Sequence, residues 1–188
     1  MIKENVRFLF EMLSLKNLKR TGWNFLGITN KDSVSEHSFN TIMIGYILAK
    51  KENANENKVI KMCMIHDIAE SRINDLNKVN QRYINHKEIE EKAFLEQINK
   101  LDKNIKEEFS NLYYELKNQK TKEAIIVKDA DYLECAIQAK EFYNKGNKDA
   151  IEWLENAETK LKTKIAKKII KEIKKSNNKW WDNLKKLD

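Results

Sequence analysis

The chain has 188 residues with no proline, four glycines, two cysteines and a net charge of +7. A chain of this length buries roughly 70% of the surface its unfolded form exposes, so it predicts one domain with no need of staples, and Cys63 and Cys135 read as buried free thiols. The N-terminus lacks a signal-peptide cleavage site and no apolar run approaches ~18 residues, so the expectation is a cytoplasmic protein with no membrane span.

Helical periodicity runs through almost the whole sequence, and strand-like alternation is nearly absent. Residues 3–18 carry Val6, Leu9, Phe10 and Leu13 on one stripe. The pattern breaks over 19–32, where Gly22, Gly27, Asn30 and Asp32 mark a loop. Ser33 and Glu36 have the spacing of a capping box, which starts a helix near Val34 that runs to about Lys51. A second helix is expected over 58–70, followed by an irregular stretch over 71–86. Further helices are expected over 87–100, 104–118, 121–144 and 147–174, with Gly146 closing one of them in a left-handed cap. The predicted fold is all-α, a single bundle of seven or eight helices with its core in 6–143.

The charge excess sits at the C-terminal end. Lys160 to Asp188 holds eleven lysines against Glu172, Asp182 and Asp188, so the rest of the chain is close to neutral. This basic stretch has no arginine and no compact recognition motif, and it reads as a solvated helix face. Nucleic acid is therefore not the expected partner. Trp180 and Trp181 read as docking the last helix or a second subunit.

Three stretches are apolar round most of a helical circumference: FNTIMIGYILA, VIKMCMIHDIA and EAIIVKDADYLECAIQA. Such helices belong at the centre of a bundle. Each also carries ionisable groups at one place along its length, and an unpaired buried charge is prohibitive. The groups are His37 on the first, His66 and Asp67 on the second, and Asp131 or Asp129 on the third. Two imidazoles with two carboxylates suit Mn, Fe, Co, Ni or Zn better than Mg or Ca. An ion with open positions can acidify water and polarise a phosphoryl oxygen. Only His86 remains among the histidines, so the set supports one metal, not two.

SVSEHS, MIHDIAE followed by an aspartate, and VKDADYLE together resemble the HD-domain metal-dependent phosphohydrolases. Within them the sequence is most similar to the 5′-deoxynucleotidase branch, whose LKRTGW-type segment stands at 18–23. The resemblance spans about Val6 to Tyr143. It implies His37, His66, Asp67 and Asp131 as metal ligands, and prefers Asp131 to Asp129. It also implies Glu70 as the group that orients the attacking water and Asp75 as a second acidic residue. The branch's glycine before that aspartate is here Asn74, which tolerates a left-handed turn. Arg20 and Lys78 are expected to face the phosphate, and Trp23 the sugar or base. The branch is commonly dimeric, so a homodimer is expected. Two other readings remain: hydrolysis of another small phosphate ester, and a basic nucleic-acid module with a vestigial metal site.

Overall fold

Ser33 opens the first of the central helices. Its hydroxyl accepts from the Glu36 amide at 3.2 Å, while its own amide donates to the Glu36 carboxylate at 2.6 Å. Both bonds of the capping box are made, and two amides left over at the helix start are satisfied. In the computed structural model, which describes residues 2–182 and 184, this helix is α2, Val34–Glu52. Among the described residues there are nine α-helices: α1 Ile2–Ser14, α2, α3 Glu56–Ile65, α4 Glu70–Ile73, α5 His86–Ile98, α6 Lys103–Asn118, α7 Lys122–Asn144, α8 Ile151–Lys160 and α9 Lys164–Lys175. Short 3₁₀ turns at Leu15–Asn17, Thr21–Leu26, Asn80–Arg82 and Lys148–Ala150 join them. The all-α expectation holds, and no described helix is long and apolar enough to cross a membrane.

The centre is α7, which packs against α2, α3, α6, α8 and α9. Thr121 caps it by accepting from the Ala124 amide, and its buried residues fall on every side of the helix. Gly45 lets α2 lie close to α3. A Cβ at that position would come within 2.8 Å of Cys63 Sγ and 3.1 Å of Val59 Cγ1. Cys63 and Cys135 are free thiols, and burial pushes Cys135 up to about 12.

Two expectations need correction. The helix expected over 147–174 is broken at 161–163, because the buried Asp129 carboxylate accepts from the amides of Lys162 and Thr163 at 2.9 and 2.7 Å. Thr163 then caps α9. The helix expected over 58–70 ends at Ile65. Beyond it the chain turns over 66–69, and the Glu70, Ser71 and Arg72 amides that open α4 bond three residues back, the tighter 3₁₀ spacing. Together these breaks raise the helix number to nine. The apolar stripe of α1 faces outward: Val6, Leu9, Phe10 and Leu13 are exposed, and Phe8 and Met12 make the inward contacts. α2 is likewise open on one side, at Phe39, Met43, Tyr46 and Ile47. The last lysines of the basic segment, Lys185 and Lys186, lie outside the described residues.

Candidate metal centre and active site

His37 stands on the first turn of α2, on the face that also buries Val34 and Thr41. His66 and Asp67 follow the last residue of α3, where the chain tightens into 3₁₀ turns. Adjacent residues on a regular helix point about 100° apart. Here both side chains nevertheless converge, with His66 Nε2 3.1 Å from Asp67 Oδ2. His37 Nε2 is 3.2 Å from His66 Nε2 and 3.4 Å from the same Asp67 oxygen. One ligand atom from each of His37, His66 and Asp67 lies within 4.8 Å of the others. Asp131, on α7, joins from the His37 side, with Oδ1 3.4 Å from His37 Nε2. Asp129 faces away, towards the α8–α9 junction.

The outer nitrogens show which atoms are free to bind. His66 Nδ1 is 2.6 Å from the Cys63 carbonyl oxygen, a pure acceptor, so Nδ1 carries the proton. His37 Nδ1 is 2.5 Å from Glu134 Oε2, a second acceptor. Both rings therefore aim Nε2 inward, at a point that is otherwise bordered by the carboxylates of Asp67 and Asp131. Burial and Arg20 push His37 down, yet Asp131, Asp67 and Glu134 outweigh them and hold it well above its ordinary value. A proton on Nε2 is one way to place positive charge at this point. A divalent cation, bound by two imidazoles and two carboxylates, satisfies more of the surrounding acceptors at once, so the residues fit a metal ion.

The carboxylates themselves respond to the same field. Burial pushes Asp67 up, but His66 and His37 outweigh it and hold the group well below its ordinary range. Asp131 is held low in the same way by Lys128, whose Nζ is 2.7 Å from Oδ2, and by His37. Glu70 behaves oppositely. Burial, then Asp67 and Asp75, hold it well above the usual carboxylate range, and its Oε2 is buried with no partner. A carboxyl group with an uncommitted oxygen beside an ion site is suited to hold and exchange a proton.

The loop over 19–33 brings Arg20 to this cluster. An isolated antiparallel bridge between Lys19 and Ser33 closes the loop, with the Arg20 amide donating to the Asp32 carbonyl at 3.0 Å. Arg20 Nη1 then reaches to 3.6 Å from Asp67 Oδ2. Burial disfavours its charge, but Asp67, Asp75, Asp131 and Glu70 outweigh that and raise it. Asp75 ties two loops together: its carboxylate accepts from the Thr21 amide, and its carbonyl accepts from the Thr21 hydroxyl at 2.9 Å. Asn74, just before it, takes φ 62 and ψ 167; the positive φ is as expected, but the ψ lies outside the left-handed helical region.

Two expected substrate contacts fare differently. Lys78 donates to Gln81 at 3.0 Å, and partial burial together with Lys128 pushes it down while Asp131 and Asp75 act the other way. It thus stands at the edge of the acidic cluster. Trp23 does not face a ligand. It is 2% exposed, packed edge-on against Phe142 and beside Trp153, and its indole N–H donates to Asp32 at 2.7 Å. The expectation that it meets the sugar or base is corrected to a packing role that positions Asp32. Glu134 and Lys128, both within VKDADYLE, and Asp32, a loop marker by sequence, were given no site role there. The available signal for Glu134 was an acidic residue in the otherwise apolar LECAI run, one turn beyond Asp131.

Helix α2, the turn that follows α3, and α7 thus deliver a histidine, a histidine–aspartate pair and an aspartate to one point of an all-helical fold. The chain belongs to the HD-domain family, which it matches over residues 12–174, and in it stands with relatives named 5′-deoxynucleotidase. HD domains are metal-dependent. The 5′-deoxynucleotidase HDDC2 of Dictyostelium discoideum is 37% identical over 136 residues, covering 68% of this chain and 72% of the relative. The 5′-deoxynucleotidase YGK1 of Saccharomyces cerevisiae is 28% identical over 185 residues, covering 95% of this chain and 85% of the relative. Among solved structures, a conserved hypothetical protein from Pyrococcus furiosus superposes with a TM-score of 0.76 at 31% identity, covering 91% of this chain and 99% of that one.

Proposed function

We propose that the protein is a metal-dependent 5′-deoxynucleotidase, hydrolysing deoxynucleoside 5′-monophosphates to nucleoside and phosphate. The observation that carries this reading is the facing pair of imidazole Nε2 atoms, 3.2 Å apart and bordered by the Asp67 carboxylate. The names of the relatives support the substrate class. His37, His66, Asp67 and Asp131 would hold one divalent ion, of the Mn, Co, Fe, Ni or Zn type. When bound, it supplies a Lewis acid for the phosphoryl group and lowers the pKa of water.

The remaining steps belong to the chain. Glu70, whose ionised form is made a stronger base by burial, accepts a proton on Oε2 as water attacks phosphorus. The Arg20 guanidinium offsets the charge on the equatorial oxygens, with Lys78 at the edge of the site. As the new P–O bond forms, the bond to the 5′ oxygen breaks. Asp75 stands on the loop that would place an acid beside that leaving oxygen.

Phosphate release from dAMP, AMP and dATP in the presence of Mn²⁺ or Co²⁺ tests the assignment. dAMP is expected to be the best substrate, and a preference for the triphosphate would remove the nucleotidase reading. Cytoplasmic residence and a homodimer belong to the same proposal. The outward stripe of α1 and the open face of α2 support the dimer. Light scattering is expected to give twice the 22.3 kDa chain mass and a Phe10→Glu, Phe39→Glu variant the single mass. A wild-type monomer would refute the pairing.

A further inference from the structure

Glu134 is charged, 3% exposed and set in the middle of the most enclosed helix of the fold. Placing a carboxylate there is unfavourable unless its oxygens are engaged. Both are. Oε2 is 2.5 Å from His37 Nδ1, and Oε1 is 3.4 Å from Asn40 Nδ2. The partners repeat a spacing: His37 and Asn40 lie three apart on α2, and Asp131 and Glu134 three apart on α7. On each helix these residues occupy one face, a turn from each other. Two side chains of α2 therefore meet two of α7, and Asp131 and Glu134 approach the His37 ring from its two nitrogens.

We infer that Glu134 is a positioning residue for the metal centre, fixing the rotation of the His37 ring and making its Nε2 the stronger of the two imidazole donors. The inference rests on the metal-site reading above. His37 and His66 differ in what holds their outer nitrogen. His66 donates to a neutral carbonyl, that of Cys63, and His37 to an anion. A carboxylate partner pulls the Nδ1 proton towards itself and raises electron density on Nε2, while a carbonyl does so less. His37 is also the ligand with no exposed surface, so solvent cannot share in orienting it. Without Glu134 the ring would keep its place in the core but lose the bond that sets which nitrogen faces the ion.

The test compares wild type with Glu134→Ala and Glu134→Gln in two measurements. The first is Co²⁺ affinity by competition with a fluorescent chelator. The second, on metal-free protein, is the downfield Nδ1–H proton signal of each histidine by NMR. Loss of an outer partner of this kind weakens metal binding by about 10–100-fold. That weakening is expected for Glu134→Ala, with a smaller loss for Glu134→Gln, which keeps an acceptor but no charge. The His37 Nδ1–H signal is expected to vanish in the alanine variant while that of His66 persists. Co²⁺ affinity within twofold of wild type in both variants overturns the inference. So does simultaneous loss of both histidine signals, which would mean a general structural role. Should the alanine variant not fold, the glutamine variant, of the same volume, carries the comparison alone. A wild type that binds no Co²⁺ defeats the metal-site reading instead, and the NMR comparison still decides whether Glu134 orients His37.

Discussion

His37 Nε2 and His66 Nε2 face each other at 3.2 Å, although the outer nitrogen of each ring already has an acceptor. The Asp67, Asp131 and Glu134 carboxylates hold His37 in its charged form, so one Nε2 proton is shared among three acceptors: His66 Nε2, Asp67 and Asp131. The bundle holds this arrangement because each ring is fixed from behind, on α2 by Glu134 and at the end of α3 by a main-chain carbonyl. A divalent cation at this point takes the place of that proton and can be shared by all four groups.

Metal binding should therefore stabilise the fold. At a metal concentration of 100 times Kd, linkage gives about 2.7 kcal/mol. For a chain of this size that raises Tm by roughly 5–10 °C. Differential scanning fluorimetry with Mn²⁺ or Co²⁺ against chelator measures it. Asp67→Ala should show no metal-dependent rise and no nucleotidase activity. Equal activity in the variant and wild type would dismiss the site.

Glu70 should separate proton transfer from metal binding. Its Oε2 has no hydrogen-bond partner, and it stands outside the His37, His66 and Asp67 group while feeling the charge of Asp67. Glu70→Gln keeps the shape and removes the exchangeable proton site. The expected loss in kcat is about 10²–10⁴-fold, the usual range for a positioned acid–base group. Co²⁺ affinity should stay within about threefold. A large loss of affinity with little change in kcat would make Glu70 a ligand instead.

How far the sequence foretold this arrangement depended on the range of the forces involved. The Ser33–Glu36 box is local, three residues apart, and the helix start near Val34 follows from it directly. The site was legible because charges in apolar helices have few outlets. The break at 161–163 was not, because its cause is Asp129, more than thirty residues away, while the apolar periodicity continues across the gap. Periodicity also reports that α1 has an apolar face without saying what covers it, and Val6, Leu9, Phe10 and Leu13 turned out to face outward. Trp23 had the same ambiguity. An indole beside a site loop serves a ligand or the core equally well by sequence, and the hydrogen bond to Asp32 decided for the core.

Asn74 is a place where the sequence can be improved. At φ 62 and ψ 167 a side chain crowds its own backbone, whereas glycine adopts this conformation freely. The strain amounts to about 1–3 kcal/mol, offset by the greater freedom of glycine in the unfolded chain, about 0.4–1 kcal/mol. Asn74→Gly should raise the thermal midpoint by a few degrees with nucleotidase activity retained. A lower midpoint would mean that the Asn74 side chain contributes more than its backbone strain removes.

The short helix that carries Glu70 is itself fastened from outside by Glu11. Arg72 donates to both Glu11 oxygens, at 2.5 and 2.9 Å, and Ser71 and Gln97 add bonds at 3.1 and 2.8 Å. Burial pushes the Glu11 carboxyl up, but these donors outweigh it and hold the group below its ordinary value. A depressed folded pKa means that the unfolded chain binds the proton more readily. The stabilisation is thus complete above the unfolded value, near 4.3, and is lost as pH falls through the folded one. Partial exposure screens the pair, so Glu11→Gln should cost about 1 kcal/mol at pH 7. In urea titrations the gap between variant and wild type should narrow steadily below about pH 4. A gap of constant size across that range would assign the anchoring of α4 to the packing of Phe8 and Met12 instead of to the charge on Glu11.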